Sequence, residues 1–197
     1  MLSTTARVSV ILQVAQVLHD LGIKPACTIR FIAWMNEEQG GGGYSTYMKE
    51  HEAELSLHVA NIEIDNGSGH PLGYTAYADD KLLQALSPLR PILNGTGSAL
   101  VCKSRDLLGD VDEFIPGFGR VVNGRDFYDY HHTAADTFDK VKPRSLQKQA
   151  SVIGVLAGAL ADLGDDVVGP QHCRMPFCAG HAMGAIFFAL LEGPCFV

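Results

Sequence analysis

Apolar positions follow two rhythms along this chain, and the changes of rhythm mark its elements. Val8, Ile11, Leu12, Ala15, Leu18 and Leu21 recur at helical spacing with Gly22 where a C-cap belongs, so residues 4–21 predict an amphipathic helix. Cys27 to Trp34 is mostly apolar and rich in β-formers; it predicts a buried strand, with Cys27 as a buried thiol. Met35 to Gly43 is a loop with two acids and four consecutive glycines, and Tyr44 to Glu54 reads as helix. Leu55 to Ile64 predicts the next strand, ending at Asp65, and Asn66-Gly-Ser-Gly-His-Pro71 is turn chemistry. Asp79 is placed to cap a helix over Lys81 to Leu89. Ser98 to Cys102 and Arg120 to Val122 suit short strands, with a short helix at Asp110 to Ile115. Asp126 to Lys142 is a polar loop, after which Pro143 opens a long helix carrying Leu146, Ala150, Ile153, Leu156, Leu160 and Leu163 on one face. Beyond Gly169 the pattern dissolves.

Helices alternating with apolar strands predict an α/β fold, a three-layer α/β/α sandwich with a mostly parallel central sheet. Sites in such sheets lie beyond the carboxyl ends of strands, and Glu37, Glu38 and Asp65 all follow predicted strands directly.

Composition narrows the classes. The 197 residues are 47% hydrophobic and 19% charged, an ordinary balance for one globular domain with a real core. A net charge of −7 and the lack of any Lys/Arg cluster argue against a nucleic-acid partner. The apolar run Ala182 to Leu191 is too short for a membrane span, which takes roughly 20 residues. No secretory signal is read after Met1, so localisation stays open. The five cysteines are scattered and form neither a zinc-ribbon spacing nor a disulfide framework. The glycines at 40–43 lack the Gly-Lys-Ser/Thr ending of a phosphate loop, and the Gly-x-Ser-x-Gly elbow of a serine hydrolase is missing.

The chemistry-bearing residues fall in three segments. Glu37 and Glu38 are adjacent acids after a strand, so their side chains point apart and are free to take different roles. Asp65 ends a strand, where it serves equally well as a turn cap. Tyr130-His131-His132-Thr133 puts imidazole on a loop, as a ligand or as plain surface. Singly, each has a structural explanation. Together, two carboxylates and one imidazole suit Zn²⁺, and a further carboxylate beside them suits a general base.

Phe31-Ile-Ala-Trp-Met-Asn-Glu-Glu-Gln-Gly40, Ile62-Glu-Ile-Asp-Asn-Gly67 and Tyr128-Asp-Tyr-His-His-Thr-Ala-Ala-Asp-Thr-Phe-Asp-Lys-Val141 resemble the M28 family of metallopeptidases, in its aminopeptidase and carboxypeptidase Q-like group. The resemblance covers roughly residues 6–164. It implies an exopeptidase, of aminopeptidase or dipeptidase type, hydrolysing peptides near a free terminus through metal-activated water at two zinc ions. By position, Glu37 resembles the general base, Glu38 and His132 the ligands of one zinc, and Asp65 a ligand of the other. Asp136 would order the loop, and His131 would be structural or face substrate. Family members are commonly exported.

Two departures qualify these implications. The family's upstream histidine and metal-bridging aspartate have no counterpart in Met1-Leu-Ser-Thr-Thr-Ala-Arg7. The chain therefore reads as N-terminally truncated, lacking the first strands of the sheet and holding one zinc ion weakly or none. The alternative reading is a catalytically inactive fragment. Missing strands would leave a sheet edge for self-association. Residues 169–197 match nothing in the family, which divides the chain into a peptidase-like part, 1–168, and an atypical tail.

Overall fold

A computed structural model of the chain describes residues 2–35, 40–65, 67–104, 115–163, 167 and 185–189. The first helix, α1, is Leu2–Asp20. Its buried stripe runs through Arg7, Val10, Ile11 and Val14, while Leu12 and Leu21 stay exposed. The apolar face expected from Leu12 and Leu21 is thus rotated, and the rotation brings a charged residue into the interior.

The strand expected over Cys27–Trp34 shortens to β1, Thr28–Ile29. Arg30 leaves the ladder to donate to Tyr47 Oη at 2.6 Å and to Glu54 Oε2 at 3.0 Å. Trp34 packs edge-on against Tyr44 and Tyr47. Cys27 is buried but disulfide-bonded, not the free thiol expected. Helix α2, Gly42–Glu50, starts from Gly41 in the left-handed region at φ 65°, which explains part of the glycine run. A 3₁₀ turn at Glu52–Leu57 leads into β2, His58–Glu63.

Strand β3 is Pro71–Tyr77, followed by α3, Asp80–Ala85, and α4, Leu89–Asn94. Asp79 caps α3 as expected, accepting from the Leu82 N–H at 2.8 Å. Strand β4 is Leu100–Lys103 and β5 is Gly117–Val122; the helix expected at 110–115 lies almost wholly outside the described residues. Helix α5, Pro143–Ala161, begins with its proline in the first turn, where the absent N–H costs nothing. Strand β6, Ala185–Ala189, comes from the stretch in which the sequence pattern dissolves. A short continuous apolar run suits a parallel strand with neighbours on both sides.

The sheet order is β1-β6-β2-β5-β3-β4. β1, β6, β2 and β5 are mutually parallel, while β3 is antiparallel to β5 and parallel to β4. The short 64–70 connection cannot make a parallel crossover, which needs about a dozen residues, so β3 runs back. All six residues of β2 are buried, marking it as the central strand. α1 and α5 pack together, and α5 contacts β1, β2, β3 and β6. Val10 and Val14 join Ile153, Leu156 and Phe118 in one apolar core. The result is the expected α/β class with an open, mostly parallel sheet. Among the described residues no helix is long and apolar enough to cross a membrane.

Candidate functional site

The four parallel strands give the molecule one shared carboxyl edge. Asp65 follows β2 and His132 follows β5, so topology directs both toward that edge, while Glu37 and Glu38 follow β1 in sequence. Glu37 and Glu38 themselves lie outside the described residues.

Asp65 sits two residues past β2 at 6% exposure, and its Oδ1 accepts from Arg7 Nη1 at 2.8 Å. Arg7 is itself 2% exposed. A second buried guanidinium, Arg120 on β5, donates to the Gln149 Oε1 and, at 3.1 Å, to the Gly67 carbonyl. The Gln149 amide donates in turn to the Gly69 carbonyl at 2.5 Å. Burial first, and then repulsion from Arg7, lowers the Arg120 pKa to about 9, with Asp65 pulling the other way. These groups tie the start of α1, the end of β2, β5 and α5 together under the 65–69 turn.

The loop after β5 rests on that turn. Asn123 N–H donates to the His70 carbonyl at 2.8 Å, and Ser68 Oγ donates to the Lys140 carbonyl at 3.2 Å. Gly67 has φ 52°, and a Cβ there would stand 2.7 Å from the Phe127 ring. Phe127 lies 4.3 Å from the His131 ring, and His131 lies 4.0 Å from the His132 ring. His132 is exposed and left-handed at φ 58°, a conformation uncommon for histidine. Short-range bonds hold the loop, among them His131 N–H to the Phe127 carbonyl at 3.0 Å and Asp136 N–H to the Thr133 carbonyl at 3.1 Å.

Of the expected site residues, the described ones are Asp65 and His132. His132 presents an exposed imidazole, a form that suits a metal ligand. Asp65 does not fit that role as it stands, because Arg7 already supplies positive charge at its carboxylate. Among the described residues, no three His, Cys, Asp or Glu side chains form a group able to hold a metal ion. The described residues therefore do not fit a zinc site by themselves.

Arg7, Arg120 and Gln149 escaped the sequence reading. A signal for them exists. Arg7 keeps helical spacing with Val10, Ile11 and Val14, Gln149 with Val152, Ile153 and Leu156, and Arg120 alternates with Phe118. A polar residue in an apolar periodic position needs an internal partner.

An open, mostly parallel sheet with helices packed on it defines the class: an α/β protein, a fold in which ligands bind beyond the carboxyl ends of strands. More narrowly, the chain belongs to peptidase family M28, whose family model matches residues 5–157. It is 30% identical over 156 residues to carboxypeptidase Q of Mus musculus, covering 74% of this chain and 32% of that protein. Carboxypeptidase Q of Bos taurus is 30% identical over 150 residues with the same coverage. The crystal structure of an M28 peptidase precursor from Shewanella amazonensis SB2B superposes with a TM-score of 0.65 at 28% identity, covering 86% of this chain and 38% of that one. The chain thus spans about a third of the length of these relatives.

Proposed function

We propose that this chain serves in exopeptidase hydrolysis, cleaving peptide bonds next to a free terminus. The observation that carries this reading is the meeting of the turn after β2, with Asp65, and the loop after β5, with His132, at one carboxyl edge within a family match spanning residues 5–157. In this reading Glu37 is the general base, holding the proton that water gives up and passing it to the leaving amine. Glu38 and His132 are the residues that would face zinc, the ion the family resemblance implies. Such an ion would supply Lewis-acid polarisation of the scissile carbonyl when bound. The Gly40–Gly41 turn and the edgewise Trp34–Tyr44–Tyr47 packing belong to the described residues on either side of the two acids in sequence.

The test is peptidase activity of the full chain on aminoacyl and dipeptide substrates with zinc supplied, wild type against Glu37→Gln. A loss on the order of 10²-fold or more in kcat is expected. Equal rates would remove Glu37 from the mechanism. A second reading, a catalytically inactive domain, is favoured by the Arg7–Asp65 pair. Wild-type protein without activity above a metal-free blank would establish it.

We further propose self-association through the β4 edge, where Leu100 and Val101 are exposed. Sedimentation of a single monomeric species across a concentration series would refute this.

A further inference from the structure

A buried carboxylate is stable only with a counter-charge or a full set of donors around it. Asp65 has Arg7, which reaches it across 58 residues of sequence at a distance in the range of charge-assisted bonds. Arg7 lies on the buried stripe of α1 with Val10, Ile11 and Val14, so its guanidinium is enclosed in the core beside Asp65. Arg120 is buried too, held by Gln149 and the Gly67 carbonyl. A divalent ion at Asp65 would therefore arrive beside two buried positive groups in a region shielded from water.

We propose that Arg7 is the resident counter-charge of Asp65, taking the place a metal ion would occupy there, and that any divalent ion this chain takes is held without Asp65. The assignment is independent of the proposed hydrolysis, since it concerns the metal-free fold and the stoichiometry of zinc. It makes opposite predictions from the ligand role. An aspartate held ready for a metal is strained without it, and its neutralisation leaves the metal-free protein as stable or more so. An aspartate that neutralises buried arginines is needed most when no metal is present.

The experiment uses the full chain stripped with chelator. Thermal unfolding is compared for wild type, Asp65→Asn, Arg7→Gln and the double variant, and zinc binding is titrated calorimetrically for wild type and both single variants. Asp65→Asn is expected to lower the metal-free Tm by roughly 10 °C, and the double variant to lose less than the two single losses added together. Zinc affinity in Asp65→Asn should match wild type within about threefold, while Arg7→Gln should tighten it at least about tenfold by releasing the carboxylate. A metal-free Asp65→Asn protein as stable as wild type, or zinc affinity falling tenfold in that variant, would overturn the proposal. Should Asp65→Asn fail to fold, the Arg7→Gln titration decides: zinc affinity equal to wild type overturns the assignment.

Discussion

The turn after β2 and the loop after β5 meet at the same edge of the sheet, yet they hold their polar groups in opposite ways. Asp65, Arg7, Arg120 and Gln149 are buried and bonded across elements far apart in sequence. His132, Thr133 and Thr137 are exposed, and the hydrogen bonds around them span two to four residues. Burial forces a charge to find a partner, and the partner then fixes the geometry of several elements at once. Exposure lets water serve as partner, so local turn chemistry shapes the loop around these residues. A carboxylate recruited into the first kind of region is committed to the fold. An imidazole in the second kind is reached from solvent.

The comparison breaks most visibly at Gln149. Replacing it with alanine removes the acceptor of Arg120 and the donor to the Gly69 carbonyl, both in the interior. A loss of about 3 kcal/mol is expected, read from denaturant unfolding. A loss below about 1 kcal/mol would show that the buried network is not what holds the turn. Gly67→Ala tests the joint between the two regions. Its φ of 52° disfavours a side chain, and the new Cβ would press on Phe127. A loss of about 2 kcal/mol is expected, with a change in the near-ultraviolet dichroism of the Phe127–Tyr128 pair and its neighbours. An unchanged spectrum would mean that the loop does not feel the turn.

How much of this was legible in the sequence follows the same division. Local signals were readable: the Asp79 cap, the proline opening α5, and the strand-then-acid order at Asp65. So was the parallel character of the sheet, because long apolar segments separated by helices leave few other topologies. Long-range pairing was not readable. Arg7 looked like an ordinary residue near the chain start, and nothing local ties it to a carboxylate 58 positions away. The run from Phe31 to Trp34 has the composition of a strand, but Arg30 turns the chain toward Tyr47 and Glu54. Strand β3 escaped because its neighbours on the sheet, β4 and β5, are both remote in sequence. At the candidate site, the resemblance supplied His132 and Asp65, and only the packing revealed that Asp65 has a guanidinium for a neighbour.

Histidines extend the comparison to pH. His58, at the start of β2, is buried, and desolvation lowers its pKa from 6.5 to about 4. Its Nδ1–H donates to the Glu54 carbonyl at 2.8 Å, which partly opposes that shift. The folded protein therefore keeps His58 neutral where the unfolded chain takes up a proton. Stability should fall as pH drops from about 6.5 to about 4 and then level off as the folded state also protonates. Subtracting the same Tm profile for His58→Gln isolates this contribution; a difference that is flat across that window would refute it.

The smallest effect on stability belongs to His132. Its φ of 58° costs a histidine about 1 kcal/mol that glycine would not incur, while glycine loses a comparable amount through the freedom of its unfolded chain. His132→Gly should therefore leave the unfolding free energy within about 1 kcal/mol of wild type. The exposed ring gives up its contact with His131, and the loop's short-range backbone bonds are unaffected by the substitution. If His132 faces a metal in the working protein, the same variant should abolish calorimetric zinc binding while its Tm barely moves. That is the reverse of Asp65→Asn, for which the Tm is expected to fall and zinc binding to stay. Should both variants lose stability and zinc together, the two regions would be one structural unit, and the contrast between a committed carboxylate and an exposed imidazole would fail.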